Sequence, residues 1–242
     1  MLLGWLLLGL LTRAGAQTPD IIESIDPETG MIRLDLILYA TEEQPKGNDK
    51  PICYSYLPWK WNTLPLHLVI NPTGSPGLSE QFLVEHTVAS AEAWNRAAHV
   101  ELSDLSPSVD YTAPRNVDAI HTVSFLELLD TSVLAFISAY GTGTNGFDII
   151  GFDIVFNTRI RWGDASMEFG VMDFQAVMSH ELGHAIGLDH VFDRSCIDAT
   201  MWFGISYGDI SDRTPEKAES KAVRKLYKEV EVLGEGGLLD YE

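Results

Sequence analysis

Three histidines and a glutamate between residues 180 and 190 have the types and spacing to bind a metal ion and act on water. The stretch reads HELGHAIGLDH. His180 and His184 are four residues apart, one turn of an α-helix, so both imidazoles project from one face and reach a single ion. Zinc–nitrogen bonds of about 2.0–2.1 Å suit that placement. Glu181 projects beside the pair, close enough to act on a water at the ion without being a ligand. Gly187 follows His184 by three residues, where a helix ends readily in a left-handed residue that glycine adopts at little cost. The chain can then turn back and bring His190 to the same ion. Three protein ligands leave a fourth position for water, the arrangement of a catalytic rather than a closed structural site. The bland alternative is a set of ordinary surface or core histidines. It leaves the joint spacing of His, Glu, His, Gly and His without a cause.

The helix that must hold His180 and His184 is expected to start at Asp173, a candidate N-cap, and to run through Ala176 and Val177 to Gly187. Upstream, MIRLDLILYA alternates partly from Ile32 to Leu38 and reads as a strand, and TEEQPKGNDK, residues 41–50, reads as a linker. LPLHLVI, Leu64 to Ile70, reads as the first strand of the domain, followed by the turn NPTGSPG. Ser79 caps an expected helix through about Ala98, whose stripe of Phe82, Ala89, Ala93 and Ala97, with Leu83 and Trp94 alongside, serves packing. Further strands are expected over Val117–Phe125, Val133–Ala139 and Ile149–Phe156, with a loop at Gly141–Gly146. TPEKAESKAVRKLYKEV reads as a last helix with Pro215 in its first turn. There is no internal repeat or low-complexity block.

HExxHxxGxxH followed by a methionine in a tight turn is the signature of the metzincin metallopeptidases. After His190 the chain reads VFDRSCIDATMWFG, which puts Met201 at that turn. SCIDATMW resembles the matrixin form of it. FDIVFNTRIRWG, Phe152 to Gly163, is similar to the matrixin strand and loop that end in Arg-Trp. KPIC and KWNTLPLHLVI resemble the start of a matrixin catalytic domain. The resemblance covers roughly Trp59 to Tyr227. It implies an α+β metzincin (zincin-like) fold: a twisted, mostly parallel sheet, an active-site helix, a Met-turn, a C-terminal helix, and zinc in a cleft between two lobes.

The same resemblance implies a secreted zinc endopeptidase. His180, His184 and His190 would be the metal ligands, Glu181 the general base, and Met201 a packing floor beneath the metal. It implies that the strand around Ser132 to Ser138 is an exposed sheet edge, to which an extended protein or peptide substrate adds as a further strand. The wall from Trp202 to Tyr207 would shape an apolar specificity pocket, with Tyr207 either a hydrogen-bond donor to the reacting group or plain packing. Matrixins also hold a structural zinc and calcium ions. His121 is nearly alone in the matching region, so that second zinc is expected to be absent. Asp148 and Asp153, with the Gly141–Gly146 loop, are calcium candidates, solvated acidic residues being the alternative. His67, His86 and His99 lack metal spacing. The rival readings are an inactive binding protein on a metzincin fold and a metal-dependent hydrolase of non-peptide substrates. Intact ligands and Glu181 speak against the first, and cleavage of a peptide library would separate the second. No G-x-S-x-G segment offers a serine nucleophile.

The 242 residues suit one well-buried domain with short extensions. Residues 1–16 read as a signal peptide, 17–58 as a short N-terminal extension or pro-segment, 59–230 as the matrixin-like domain and 231–242 as a tail. The apolar run Met1–Leu11 is short of the ~20 residues that span a bilayer, and Ala14-Gly15-Ala16 is an A-x-A cleavage signal ahead of Gln17. No Lys or Arg precedes that run, which keeps an uncleaved anchor as the alternative. A formal charge of −19 argues against nucleic acid or anionic membranes as partners. A secreted monomer acting on peptides is the expectation.

Two cysteines, Cys53 and Cys196, leave alternatives open. In an oxidising compartment an even pair favours a disulfide. Matrixins instead carry a cysteine, in PRCGxPD, whose thiolate caps the zinc of the zymogen. KPICYSYLP keeps Pro51, Cys53 and Lys50 but lacks the Arg, Gly and Asp of that motif. Two free thiols are the third reading.

Overall fold

Runs of aliphatic and aromatic residues become strands whose partners lie far away in sequence. In the computed structural model, residues 6–11 (as backbone), 21–41, 51–143 and 147–228 are described. In chain order the elements are β1 (Leu6–Leu11), β2 (Ile21–Ile25), β3 (Ile32–Ala40), β4 (Ser55–Tyr56), β5 (Leu68–Ile70), α1 (Glu80–Ala98), β6 (Ser108–Val109), β7 (His121–Leu126), β8 (Val133–Thr142), β9 (Asp148–Asn157), β10 (Trp162–Gly163), β11 (Met172–Asp173), α2 (Phe174–Ala185), β12 (Leu188–Asp189), β13 (Gly204–Ile205) and α3 (Lys217–Leu226). The signal cleavage site at residues 14–17, linker residues 42–50, loop residues 144–146 and the tail 231–242 lie outside the described residues.

One sheet organises the molecule. Its inner part runs β6–β5–β7–β9–β8, parallel except for β8, which is antiparallel to β9. Residues 151–157 of β9 are all buried, as befits a central strand covered on both faces. With the helices packed on this sheet the class is α+β, as the sequence implied.

The sheet does not stop at β8. β3 pairs antiparallel with β8 from Ile32↔Gly141 to Tyr39↔Val133, and β2 and β1 continue outward, each antiparallel to its neighbour. The Ser132–Ser138 strand, expected to be an exposed edge, is therefore covered. The cause lies in β3 itself. Leu34, Leu36 and Leu38 are buried, while Arg33, Asp35 and Ile37 alternate with them. That face must be buried somewhere, and an edge with free N–H and C=O groups is a ready template.

The helices follow local signals. Ser79 accepts the Phe82 N–H at 3.1 Å to cap α1, and Asp173 accepts the Ala176 N–H at 2.8 Å to cap α2. Trp94 on α1 donates its indole N–H to Ser179 O at 2.8 Å, tying the two helices together. α3 is shorter than expected. Its N-cap is Glu216, so Pro215 precedes the helix instead of opening it, because the Glu216 N–H finds the Glu219 carboxylate at 2.9 Å. β7 begins at His121, four residues late, because Asp118 turns the chain there by accepting the Ile120 N–H. Among the described residues no helix is long and apolar enough to cross a membrane.

Candidate active site

His180 and His184 lie on the buried face of α2, and His190 follows β12. Their three Nε2 atoms converge: 3.0 Å between His180 and His184, and 3.1 Å from each to His190. A tetrahedral zinc with bonds of about 2.0–2.1 Å would hold such nitrogens about 3.3–3.4 Å apart, so a small outward movement fits the ion. The tautomers are set from behind. His180 Nδ1 donates to Thr200 O at 2.7 Å and His184 Nδ1 to Leu188 O at 2.8 Å, which leaves both Nε2 lone pairs pointing at the shared centre. Burial, with His190 alongside, holds His180 well below the usual imidazole range, so it is the neutral form that binds metals. Converging lone pairs without a proton between them repel. A cation at their focus removes that repulsion, and this is why the residues fit zinc. They are the one group of three or more metal-binding side chains that come together among the described residues.

Glu181 is fully buried, and neither carboxylate oxygen has a hydrogen-bond partner. Burial pushes its carboxyl well above the ordinary range. An isolated buried carboxylate is costly, and a neighbouring cation with a water between them is the remedy this site chemistry offers. The orphaned pair of oxygens is thus a second sign that the site is built around a metal and water.

The turn after the third histidine supports the first. Met201 is fully buried, its carbonyl accepts the Val191 N–H at 2.9 Å, and its sulfur lies against Gly183. A Cβ on Gly183 would stand 2.2 Å from Met201 Sδ and 2.9 Å from Trp94 Cζ2, so only glycine allows this approach between His180 and His184. Sequence reasoning assigned no role to Gly183 or to Glu219. The Glu219 carboxylate, buried on α3, accepts the N–H of Met201 at 2.7 Å and of Thr200 at 3.2 Å. It fixes the turn whose Thr200 carbonyl orients His180. Burial pushes Glu219 up to about 7, against the pull of the N–H donors around it. The available signal was an acidic residue on the apolar stripe of an otherwise amphipathic helix.

The segment between His184 and His190 is clamped from several directions. Gly187 has φ +96° and a Cβ there would meet Trp59 O at 2.5 Å, so both backbone shape and space require glycine. Leu57 N donates to Gly187 O at 2.9 Å, Trp61 Nε1 to Ala185 O at 2.8 Å, and Tyr227 OH to Ile186 O at 2.9 Å. β4 pairs with β12. Cys53 and Cys196 form a disulfide, with Cα atoms 5.2 Å apart, so Cys53 is held in this clamp and is no thiolate ligand. Residues 53–61 thus belong physically to the frame of the three-histidine cluster.

The calcium candidates are not brought together. Asp148 is exposed at the start of β9, whereas Asp153 is buried, taking a hydrogen bond from Tyr140 OH at 3.1 Å and one from Thr122 N at 3.3 Å. His121 is buried and stacked on Phe152 at 4.4 Å, away from any metal cluster among the described residues. Beyond the turn, Phe203 stacks on Phe192 with ring centroids 5.2 Å apart, and Phe192 lies 5.9 Å from His190, while Tyr207 is half-exposed.

Of the comparisons with known proteins, a scan of family models finds the Matrixin family over residues 87–228, well over half of the chain and including α2, all three histidines and the turn. The chain belongs to the matrixin family. Matrixins are zinc metallopeptidases of metzincin fold, and the matrixin sheet, active-site helix and C-terminal helix are the ones described above. A search of curated proteins returns no match. In this matrixin the segment before residue 87 includes β1–β3, which the family match does not reach.

Proposed function

We propose that the chain is a secreted zinc endopeptidase, with His180, His184 and His190 as ligands and Glu181 as general base. The observation that carries the proposal is the convergence of three Nε2 atoms within 3.1 Å beside a buried, unpartnered carboxylate. When bound, zinc supplies Lewis-acid activation of water and of the scissile carbonyl. Glu181 takes a proton from the attacking water and delivers it to the leaving amine nitrogen. Thr200 O and Leu188 O hold the His180 and His184 rings in place through their Nδ1 protons. Met201, against Gly183, is a packing floor and not a ligand.

The substrates are protein or peptide segments taken in extended conformation. The Phe192–Phe203 wall favours an apolar side chain next to the cleaved bond. We place the signal peptide at residues 1–16, the extension at 17–58 and the peptidase domain at 59–230. Zinc titration of His190→Ala tests the ligand set. Loss of one of three ligands should weaken affinity by at least about 100-fold, and full retention would reduce the site to the His180–His184 pair.

A further inference from the structure

We infer that Asp104, His67 and Ser108 form a second hydrolytic site, a serine esterase at the β6 edge of the sheet that takes activated carboxylic esters with an apolar acyl group. His67 stands between the other two. Its Nδ1 donates to Asp104 Oδ2 at 2.7 Å, and its Nε2 accepts from Ser108 Oγ at 2.9 Å. A carboxylate only accepts, so the proton lies on Nδ1 and the Nε2 lone pair faces the hydroxyl. These are the roles of a nucleophilic triad: the carboxylate orients the imidazole, and the imidazole activates the serine. Such a triad is defined by geometry and needs no local motif. His, Asp, Ser is one of the chain orders in which unrelated folds build it. None of the three residues belongs to the three-histidine cluster.

Backbone pairing holds the three side chains in place. Leu66 N donates to Leu102 O at 2.8 Å and Asp104 N to Leu66 O at 3.0 Å, which sets Asp104 beside His67. Behind them the buried Asn95 side chain accepts the Leu102 and Ser103 N–H groups at 2.8 and 3.1 Å. Asp104 Oδ1 takes the Ser106 N–H at 3.1 Å and leaves Oδ2 for the imidazole. Ser108 opens β6, opposite Val69 of β5. Ser108 is exposed and His67 half-exposed, so a substrate reaches both.

His67 also borders a hollow of about 360 Å³ lined by Trp61, Pro65, Leu66, Val69, Ile120 and Ile150, the size and character of a small-ligand pocket. An apolar acyl group fits there. His121 lines the same hollow, and its Nδ1 is buried without a hydrogen-bond partner, a polar group that a ligand can satisfy. β6 ends the sheet on this side among the described residues, and Asp110 N donates back to Ile70 O at 3.0 Å. The intervening Val109 N–H therefore points away from β5. One residue past the nucleophile, it is placed to donate to the oxyanion. In the reaction Ser108 Oγ bonds to the ester carbonyl carbon, its proton passes to His67 Nε2, and the carbonyl pair moves onto oxygen. Collapse expels the alkoxide, which takes the proton from His67, and water then cleaves the acyl-serine by the same route. Each turnover converts one ester and one water into an acid and an alcohol. Removing one oxyanion donor costs other enzymes about 100–1000-fold. A site served by one backbone N–H thus suits esters with good leaving groups and not amides.

The test uses the zinc-loaded full chain with a fluorophosphonate probe and with p-nitrophenyl butyrate, each with and without a zinc chelator. Peptide mapping should find the probe on Ser108, a result that needs no variant. Ester hydrolysis should exceed that of Ser108→Ala by at least about 100-fold in kcat/KM and persist in the chelator. Asp104→Asn keeps the side-chain shape but no longer fixes the His67 tautomer. It should lower kcat by at least about 10-fold at nearly unchanged KM. Slow amide exchange on β5 reports that both variants fold. The inference is overturned if the probe leaves Ser108 unlabelled, or if folded Ser108→Ala hydrolyses the ester as fast as the unaltered chain. Loss of hydrolysis in the chelator would also overturn it, by assigning the activity to the three-histidine site.

Discussion

Gly183→Ala puts two well-known effects in opposition, and the structure decides between them. Gly183 sits inside α2, where exchange of glycine for alanine normally stabilises by about 1 kcal/mol. Here the new Cβ would stand 2.2 Å from Met201 Sδ, 2.9 Å from Trp94 Cζ2 and 3.1 Å from Met201 Cε. Ordinary contact needs close to about 3.5–4.0 Å, so the sulfur must retreat by roughly 1.5 Å. Both neighbours are buried, Met201 at 0% and Trp94 at 1% exposure, so neither can swing out into solvent. Overpacking of this kind costs about 1–3 kcal/mol, and the size of the clash puts this case at the upper end. The net expectation is a loss of about 1–2 kcal/mol, read as a lower urea midpoint at unchanged slope. In a Met201→Ala background the clash is largely relieved, and the alanine should show its helix gain; the cycle should give a coupling of about 2–3 kcal/mol. Displacing the turn also moves Thr200 O from His180 Nδ1, so zinc affinity should fall by about 10-fold. A Gly183→Ala protein as stable as the parent, with additive behaviour in the cycle, would refute the packing argument.

Glu219→Ala leaves the N–H groups of Thr200, Met201 and Glu216 without their acceptor. It should cost about 3 kcal/mol and weaken zinc binding by about 10–100-fold, measured by urea unfolding and by competition with a chelator; unchanged zinc affinity would detach Glu219 from the metal site. For Asp153, burial raises the carboxyl to about 7, against the pull of Tyr140 and Thr122. The folded state thus holds a proton that the unfolded chain, with a pKa of about 3.9, has released. The group's contribution is fully present below about pH 4 and is lost as pH rises toward about 7. Asp153→Asn should flatten that part of the stability profile between pH 4 and 8, and an identical slope in both proteins would show that Asp153 is ionised throughout.

The metal-site geometry was legible because it is local. Spacing placed His180 and His184 on one helical face, Asp173 announced the start of α2, and Gly187 marked its end with a positive φ. The resemblance to matrixins supplied the order of sheet and helices beyond that. What stayed hidden depends on contacts between distant residues. The alternation of Leu34, Leu36 and Leu38 gave a strand but could not say that its partner is β8, about 100 residues away. Hydrophobic pattern fixes which face is buried, and many edges satisfy it equally. Gly183 drew no role because the Met201 sulfur that forbids a Cβ arrives from the following turn. Glu219 drew no role because the backbone donors it serves belong to another segment. Pairing of Cys53 with Cys196 could be weighed but not decided until both were found in the clamp around Gly187.

Zinc-loaded protein incubated with an unstructured peptide library and read by mass spectrometry tests the central claim when compared with the same protein carrying Glu181→Ala. Both should hold one zinc per chain, since Glu181 acts on water and not on the ion. New peptide termini should appear with the first and be reduced by at least about 100-fold with the second. Equal cleavage by both proteins, or loss of zinc along with activity in the Glu181 variant, would contradict the account.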